Sequence, residues 1–325
     1  MTDTTLDPAF RERVAEIDRL GVPEWHALST ASARRVEDDL FSTDAHLPVA
    51  RTTDLGFDGP GGAVSVRVYR PEETPAPTVV FYHGGGWCLG TLDSADGICR
   101  RLCRRVGAVV VSVDYRLAPD HPFPAAVRDA VAAVEWVADH ASALGGDGRV
   151  GVAGTSAGGG LAAAVGVATA RSDRSLEFDL DVDLAVQALF YPALAPRFDS
   201  ESYREHADGP LLTRRDMRHF WSTYLASPTD AANPYAAPLT ADSLADVPPA
   251  VVAVGSHDPL RTDATAFVDR LRGAGVPVTA EVFDGLPHGF LSFADDASEE
   301  RVGVPAAETA FDTVADAVAT QLDDS

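Results

Sequence analysis

The chain has 325 residues and carries 49 Asp and Glu against 26 basic residues, a net charge of −23. All of the basic residues are arginine, and the absence of lysine excludes a phosphate-binding loop, a pyridoxal-phosphate anchor and a serine–lysine dyad. A surface this acidic repels nucleic acid and anionic membranes, and no apolar run approaches the roughly 20 residues of a membrane span.

In chain order, the first seven residues have neither the basic start nor the apolar core of a signal peptide, which points to the cytoplasm. Phe10, Val14, Ile17 and Leu20 recur at helical spacing and predict an amphipathic helix. Residues 77–82 (Pro-Thr-Val-Val-Phe-Tyr) read as a buried strand running into His83-Gly84-Gly85-Gly86-Trp87. Successive glycines let backbone N–H groups turn towards one point, as an oxyanion hole requires. Cys88, Cys99 and Cys103 lack the further Cys or His of a zinc pattern and read as buried thiols. Asp114 and Arg116 read as a buried structural pair beneath the site.

Residues 150–153 form a second buried strand that ends in Gly154-Thr155-Ser156-Ala157-Gly158, with a small-residue helix following over 157–170. A G-x-S-x-G on a strand–turn–helix is a nucleophile elbow, in which Ser156 stands on a tight turn with its hydroxyl clear of both elements. The amide of the residue after the nucleophile, Ala157, joins those of Gly85 and Gly86 as oxyanion donors. A rival dinucleotide fingerprint, Gly158-x-Gly160-x-x-Ala163 with Asp179 and Asp181 beyond, starts four residues too far from its strand. Residues 177–184 alternate acid and apolar, reading as an extended segment with a solvated acidic face before a strand over 185–190. Asp179-x-Asp181-x-Asp183 resembles the start of a calcium loop but lacks its Gly and Glu, leaving no metal site.

Met217, Phe220, Trp221, Tyr224 and Leu225 define an aromatic-rich helix. The strand 251–254 ends in Gly255-Ser256-His257-Asp258, and the strand 276–283 in Asp284-Gly285-Leu286-Pro287-His288. The order Ser156, Asp258, His288 is that of α/β-hydrolases. Asp263 and Asp284 compete for the acid, and His83 and His257 are set aside as structural. A closing helix carries Phe311, Val314, Val318 and Leu322. Strands alternating with helices from residue 64 onward give an α/β fold with a mostly parallel sheet, and no composition break divides 1–325.

Six stretches together (83–87, 114–126, 154–159, 233–239, 258–261 and 288–290) resemble the hormone-sensitive-lipase-like branch of the α/β-hydrolases, the carboxylesterases with an HGGG motif. The resemblance spans residues 64–290 and departs from many members at Thr155, where Asp is common, and at Asp120, where Glu is commoner. It implies an α/β-hydrolase domain with a helical cap drawn from about 1–48 and about 196–230. It also implies hydrolysis of small-molecule esters of short to medium acyl chains without metal or cofactor. Trp87 and Trp221 are then expected to line the acyl pocket, and a homodimer is left open. Two other readings are an amide hydrolase and a non-catalytic receptor on the same fold; retention of His288 speaks against the receptor. The acid excess without lysine resembles proteins of salt-accumulating halophiles and sets the expectation of a salt-adapted enzyme.

Overall fold

The computed structural model describes residues 5–42, 47–170, 180–294 and 303–325. Eight strands form one sheet in the order β1-β2-β4-β3-β5-β6-β7-β8. The edge hairpin is β1 (Arg51–Gly59) and β2 (Gly62–Arg70), which pair antiparallel. β2 is also antiparallel to β4 (Val109–Asp114). Every later pairing, through β3 (Ala76–Tyr82), β5 (Gly146–Thr155), β6 (Leu184–Phe190), β7 (Ala250–His257) and β8 (Val278–Pro287), is parallel. Parallel strands covered on both faces read as apolar runs rather than alternations, and β3, β4, β6 and β7 are buried almost throughout.

Helices α3 (Asp96–Val106), α4 (Ala125–Leu144), α5 (Ala157–Thr169), α8 (Arg261–Gly273) and α9 (Pro305–Asp323) pack on the sheet. From Ala157 to Ala168 every residue of α5 is buried, so its all-round small apolar sequence reflects burial on all sides rather than amphipathicity. In α9, Phe311, Val314, Val318 and Leu322 form the expected core stripe.

Four elements lie apart from the sheet: α1 (Pro8–Arg19), α2 (Thr30–Phe41), the short α6 (Glu201–Glu205) and α7 (Arg214–Tyr224). A turn at Trp25–Ala27 ties the N-terminal segment to α7: Trp25 Nε1 donates to Leu211 O (3.1 Å) and the His26 amide to Asp216 Oδ1 (2.8 Å). Asp216 is also the third residue of the capping box that starts α7 from Thr213. The expected face of α1 holds only in part. Phe10 is buried edge-on against Phe293, whereas Leu20 is 70 % exposed beyond the helix's last turn. Of the acidic alternation, residues 177–179 lie outside the described residues.

Candidate active site

Ser156 stands between the end of β5 and the start of α5 with φ +53° and ψ −116°, a region that side-chain-bearing residues rarely enter. Hydrogen bonds hold the turn there: the Ser156 amide donates to Phe190 O (2.9 Å), and the Gly160 and Ala193 amides donate to Ser156 O (3.0 Å each). The glycine at 158 is forced by close approach, since a Cβ there would sit 2.0 Å from Tyr82 O. The Gly158–Gly160 spacing therefore belongs to packing of α5 under the elbow, not to a dinucleotide loop.

His288 follows β8 directly, and Asp258 follows β7. Since β7 and β8 are neighbours, with His257 in register with Pro287, the two side chains meet at one end of the sheet. His288 Nδ1 lies 2.8 Å from Asp258 Oδ2, and Nε2 lies 2.9 Å from Ser156 Oγ. Asp258 is fully buried and its second oxygen accepts from the Leu260 amide at 2.7 Å. An acceptor on that side requires the proton on Nδ1, which leaves the Nε2 lone pair facing the Ser156 hydroxyl. The competing acids stand elsewhere: Asp284 is exposed, and Asp263 is buried in α8 with neither carboxylate oxygen hydrogen-bonded among the described residues. Burial raises the Asp263 carboxyl to about 7, against the pull of Arg197.

The glycine loop lies beside the serine. Gly85 (φ +109°) and Gly86 (φ +60°) both adopt backbone that favours glycine, and a Cβ on Gly86 would strike the Phe220 ring. The Ala157 amide is the first of α5 and so has no acceptor within its own helix. His83 is structural: it stacks on Tyr115 with centroids 4.3 Å apart, and its Nδ1 donates to Gly84 O at 2.7 Å. Burial depresses its pKa to about 4, keeping the ring neutral. His257 faces Ser256 and His206 rather than Ser156.

These residues open into a cavity of about 730 Å³ that reaches Val14 and Ile17 of α1, Glu37 and Phe41 of α2, and Met217 and Phe220 of α7. Trp87 lines it. Trp221 does not: it lies outside the lining and packs against Trp87, ring centroids 4.5 Å apart, with Tyr224 stacked on Trp87 at 4.2 Å. Helical spacing puts Phe220 and Trp221 about 100° apart, and it is Phe220 that faces inward.

One further expectation needs correction. Arg116 pairs with Asp129, both contacts 2.8 Å, while Asp114 at the end of β4 is exposed. Asp129 lies one helix away on α4, a partner that local spacing does not reveal. Among the described residues, Glu24, His26 and Asp216 place one ligand atom each within 4.8 Å of one another. Both Asp216 oxygens are already engaged, by the His26 amide and by Thr213. The cluster escaped the sequence because Asp216 lies 190 positions from His26. Tyr191, edge-on to His288 at 4.9 Å, was missed as well. The three cysteines are buried free thiols, Cys88 and Cys103 being pushed up to about 12 by burial. Among the described residues no helix is long and apolar enough to cross a membrane.

Residues 79–292 match the family described as alpha/beta hydrolase fold. The chain is 40 % identical over 297 residues to the carboxylic ester hydrolase LipN of Mycobacterium tuberculosis, covering 89 % of this chain and 77 % of LipN. It is 34 % identical over 290 residues to an arylesterase of Saccharolobus solfataricus, covering 88 % of this chain and 92 % of that one. Among solved structures, a hyperthermophilic esterase from Pyrobaculum calidifontis superposes with TM-score 0.87 at 35 % identity, covering 97 % of this chain and 98 % of the other. The chain therefore belongs to the hormone-sensitive-lipase-like α/β-hydrolases and is a carboxylic ester hydrolase.

Proposed function

We propose that Ser156 is the nucleophile, His288 the general base and acid, and Asp258 the residue that holds the imidazole, in hydrolysis of short- to medium-chain acyl esters through an acyl-enzyme. The observation that carries this reading is the unbroken contact from Asp258 through His288 to Ser156, at 2.8 and 2.9 Å. As Ser156 Oγ bonds to the ester carbonyl carbon, its proton passes to His288 Nε2. Asp258 stabilises the resulting imidazolium without taking the proton. The amides of Gly85, Gly86 and Ala157 receive the oxyanion, and the N-terminal end of α5 adds its positive dipole there. Collapse of the tetrahedral adduct breaks the bond to the alcohol, which leaves with the proton from Nε2. Water, deprotonated by the same nitrogen, then attacks the acyl-serine and frees Ser156.

In this reading the segments 1–48 and 196–230 form a cap on a single hydrolase domain, and Phe220, Met217, Trp87 and the inner face of α1 bound the acyl group. The 49 acidic residues set against 26 arginines and no lysine support the further reading that the enzyme works in concentrated salt, in the cytoplasm of a halophile.

Ser156→Ala tests the assignment, because the three side chains act as a unit. Hydrolysis of 4-nitrophenyl butyrate is expected to fall by on the order of 10³ or more. An organophosphate should attach to Ser156 in the unmodified protein. Labelling of another serine, or full activity in the variant, would refute it.

A further inference from the structure

The glycine loop beside Ser156 is held by more than its own turn. Gly85, Gly86 and Trp87 all have positive φ, at +109°, +60° and +59°. For Trp87, which carries a side chain, that backbone costs about 1–3 kcal/mol and persists only where the surroundings enforce it. Within the turn, the Cys88 and Leu89 amides donate to Gly85 O (3.1 and 2.9 Å). On the strand side, Tyr115 Oη donates to His83 O (2.8 Å) and His83 Nδ1 to Gly84 O (2.7 Å), both from buried groups.

The far side is held from α2, which lies apart from the sheet. Arg34 Nε donates to Cys88 O (2.9 Å) and Arg34 Nη2 to Ala118 O (3.1 Å). The Ala118 amide in turn donates to Trp87 O (2.9 Å), so the guanidinium spans the two chain segments that meet at Trp87. One turn further along α2, the Glu37 carboxyl accepts from the Gly90 amide and the Ser94 hydroxyl. Arg34 Nη1 also reaches Asp120 Oδ2 at 3.0 Å, but that carboxylate is 64 % exposed, and such a pair contributes little. A guanidinium fixes its donors in one plane and holds two carbonyls at a set separation, which a single ammonium does not.

We propose that Arg34 is a positioning residue for the oxyanion hole. It does not line the cavity. It acts through Cys88 O and Ala118 O, whose segments are bonded to Gly85 O and Trp87 O, and so fixes where the Gly85 and Gly86 amides stand. This proposal rests on those amides being the oxyanion donors and Ser156 the nucleophile.

Acylation and deacylation both pass through an oxyanion, so kcat should fall whichever step is slower. Arg34→Ala is expected to lower kcat on 4-nitrophenyl butyrate by about ten- to a hundredfold, since it displaces the donors without removing them. Organophosphate titration counts the active sites of each variant, and rates are expressed per site. The second readout is a pair of inhibitors, 1,1,1-trifluoroheptan-2-one and heptan-2-ol. The ketone adds to Ser156 Oγ, its carbonyl electron pair moving to oxygen and the serine proton to His288 Nε2, and should lose affinity by a factor similar to that in kcat. The alcohol forms no oxyanion and should bind within about twofold of its affinity for the unmodified enzyme. Arg34→Lys should fall between the two, and Asp120→Asn should keep kcat within about twofold. A kcat per site in Arg34→Ala within about twofold of the unmodified value would overturn the proposal. So would equal losses of affinity for ketone and alcohol, or a loss in Asp120→Asn as large as in Arg34→Ala. Should Arg34→Ala not fold, Arg34→Lys carries the same comparison, and unchanged ketone affinity there overturns it. If Ser156→Ala retains hydrolysis, or the ketone binds the unmodified enzyme no more tightly than the alcohol, it is the underlying assignment that fails instead.

Discussion

Three aspartates lie in or after the last strands, and their environments separate their duties. Asp258 is engaged at both oxygens, by His288 and by the Leu260 amide, while Asp284 faces solvent. Asp258→Asn should therefore lower kcat by on the order of 10⁴, because the amide can offer an N–H to Nδ1 and favour the wrong tautomer. Asp284→Asn should leave kcat within about twofold; equal losses in the two variants would reassign the acid. Asp263 has a different consequence. Its carboxyl titrates near 7 in the folded protein, against an ordinary 3.8. Between those values the folded chain holds a proton that the unfolded chain has lost, so stability falls as pH rises from about 4 through 7. Asp263→Asn removes that penalty. Its gain in stability over the unmodified protein should be near zero at pH 4 and grow to on the order of 2–4 kcal/mol at pH 8. A gain independent of pH in urea titrations would contradict it. Asp258 was identifiable in the chain because it closes a strand at a position the motif order demands. The burial that perturbs Asp263 was not, since it depends on how α8 seats on its neighbours, including Tyr203, Arg197 and Asp199.

At the scale of elements, strands and turns carried most of the legible information. β3, β5, β7 and β8 each run into a motif, and their apolar runs and glycines are local signals. The edge hairpin is legible on one side only: β2 alternates Val64, Val66 and Val68 with Ser65 and Arg67, whereas β1 buries only Phe57, so no apolar run announces it. The aromatic helix α7 is legible from its periodicity, but its rotation is not. Periodicity defines an apolar face without saying which of two adjacent aromatics points to a cavity and which to a core. That difference makes a paired prediction. Phe220 lines the cavity and rests on Gly86, so Phe220→Ala should shift the optimum towards longer acyl chains. Trp221 is buried against the stacked pair of Trp87 and Tyr224, so Trp221→Ala should cost about 3–5 kcal/mol of stability. An acyl series from acetate to decanoate, together with a melt of each variant, decides it. A shift in chain preference confined to Trp221→Ala would reverse the two roles.

For the whole molecule, the charge of −23 sets opposing effects against each other, because salt screens attraction and repulsion alike. The attractions are visible: Arg67 reaches Asp54 and Asp93, both at 2.7 Å, Arg149 reaches Asp147 at 2.6 Å, and Arg105 reaches Asp312 at 2.8 Å. All involve at least one partner open to solvent, and such pairs contribute about 0–1 kcal/mol each. Losing them in salt therefore costs little. Acids outnumber arginines 49 to 26, so most carboxylates have other carboxylates as their neighbours at longer range. Their repulsion sums over many pairs, and at 0.1 M salt it acts across about 10 Å, at 1 M across about 3 Å. The folded state concentrates this charge and the unfolded chain dilutes it, so screening should favour folding. Excluded salt also strengthens burial of the apolar core. The expected outcome is a melting temperature that rises by at least about 3 °C between 0.1 and 2 M KCl, the shift that ~2 kcal/mol produces at this size. Activity should rise over the same range. Sodium and potassium chlorides should act alike, since the effect belongs to ionic strength rather than to a bound ion. A melting temperature that stays flat, or falls as the arginine pairs are screened, would show that repulsion among the carboxylates does not outweigh those pairs and would remove the case for salt adaptation.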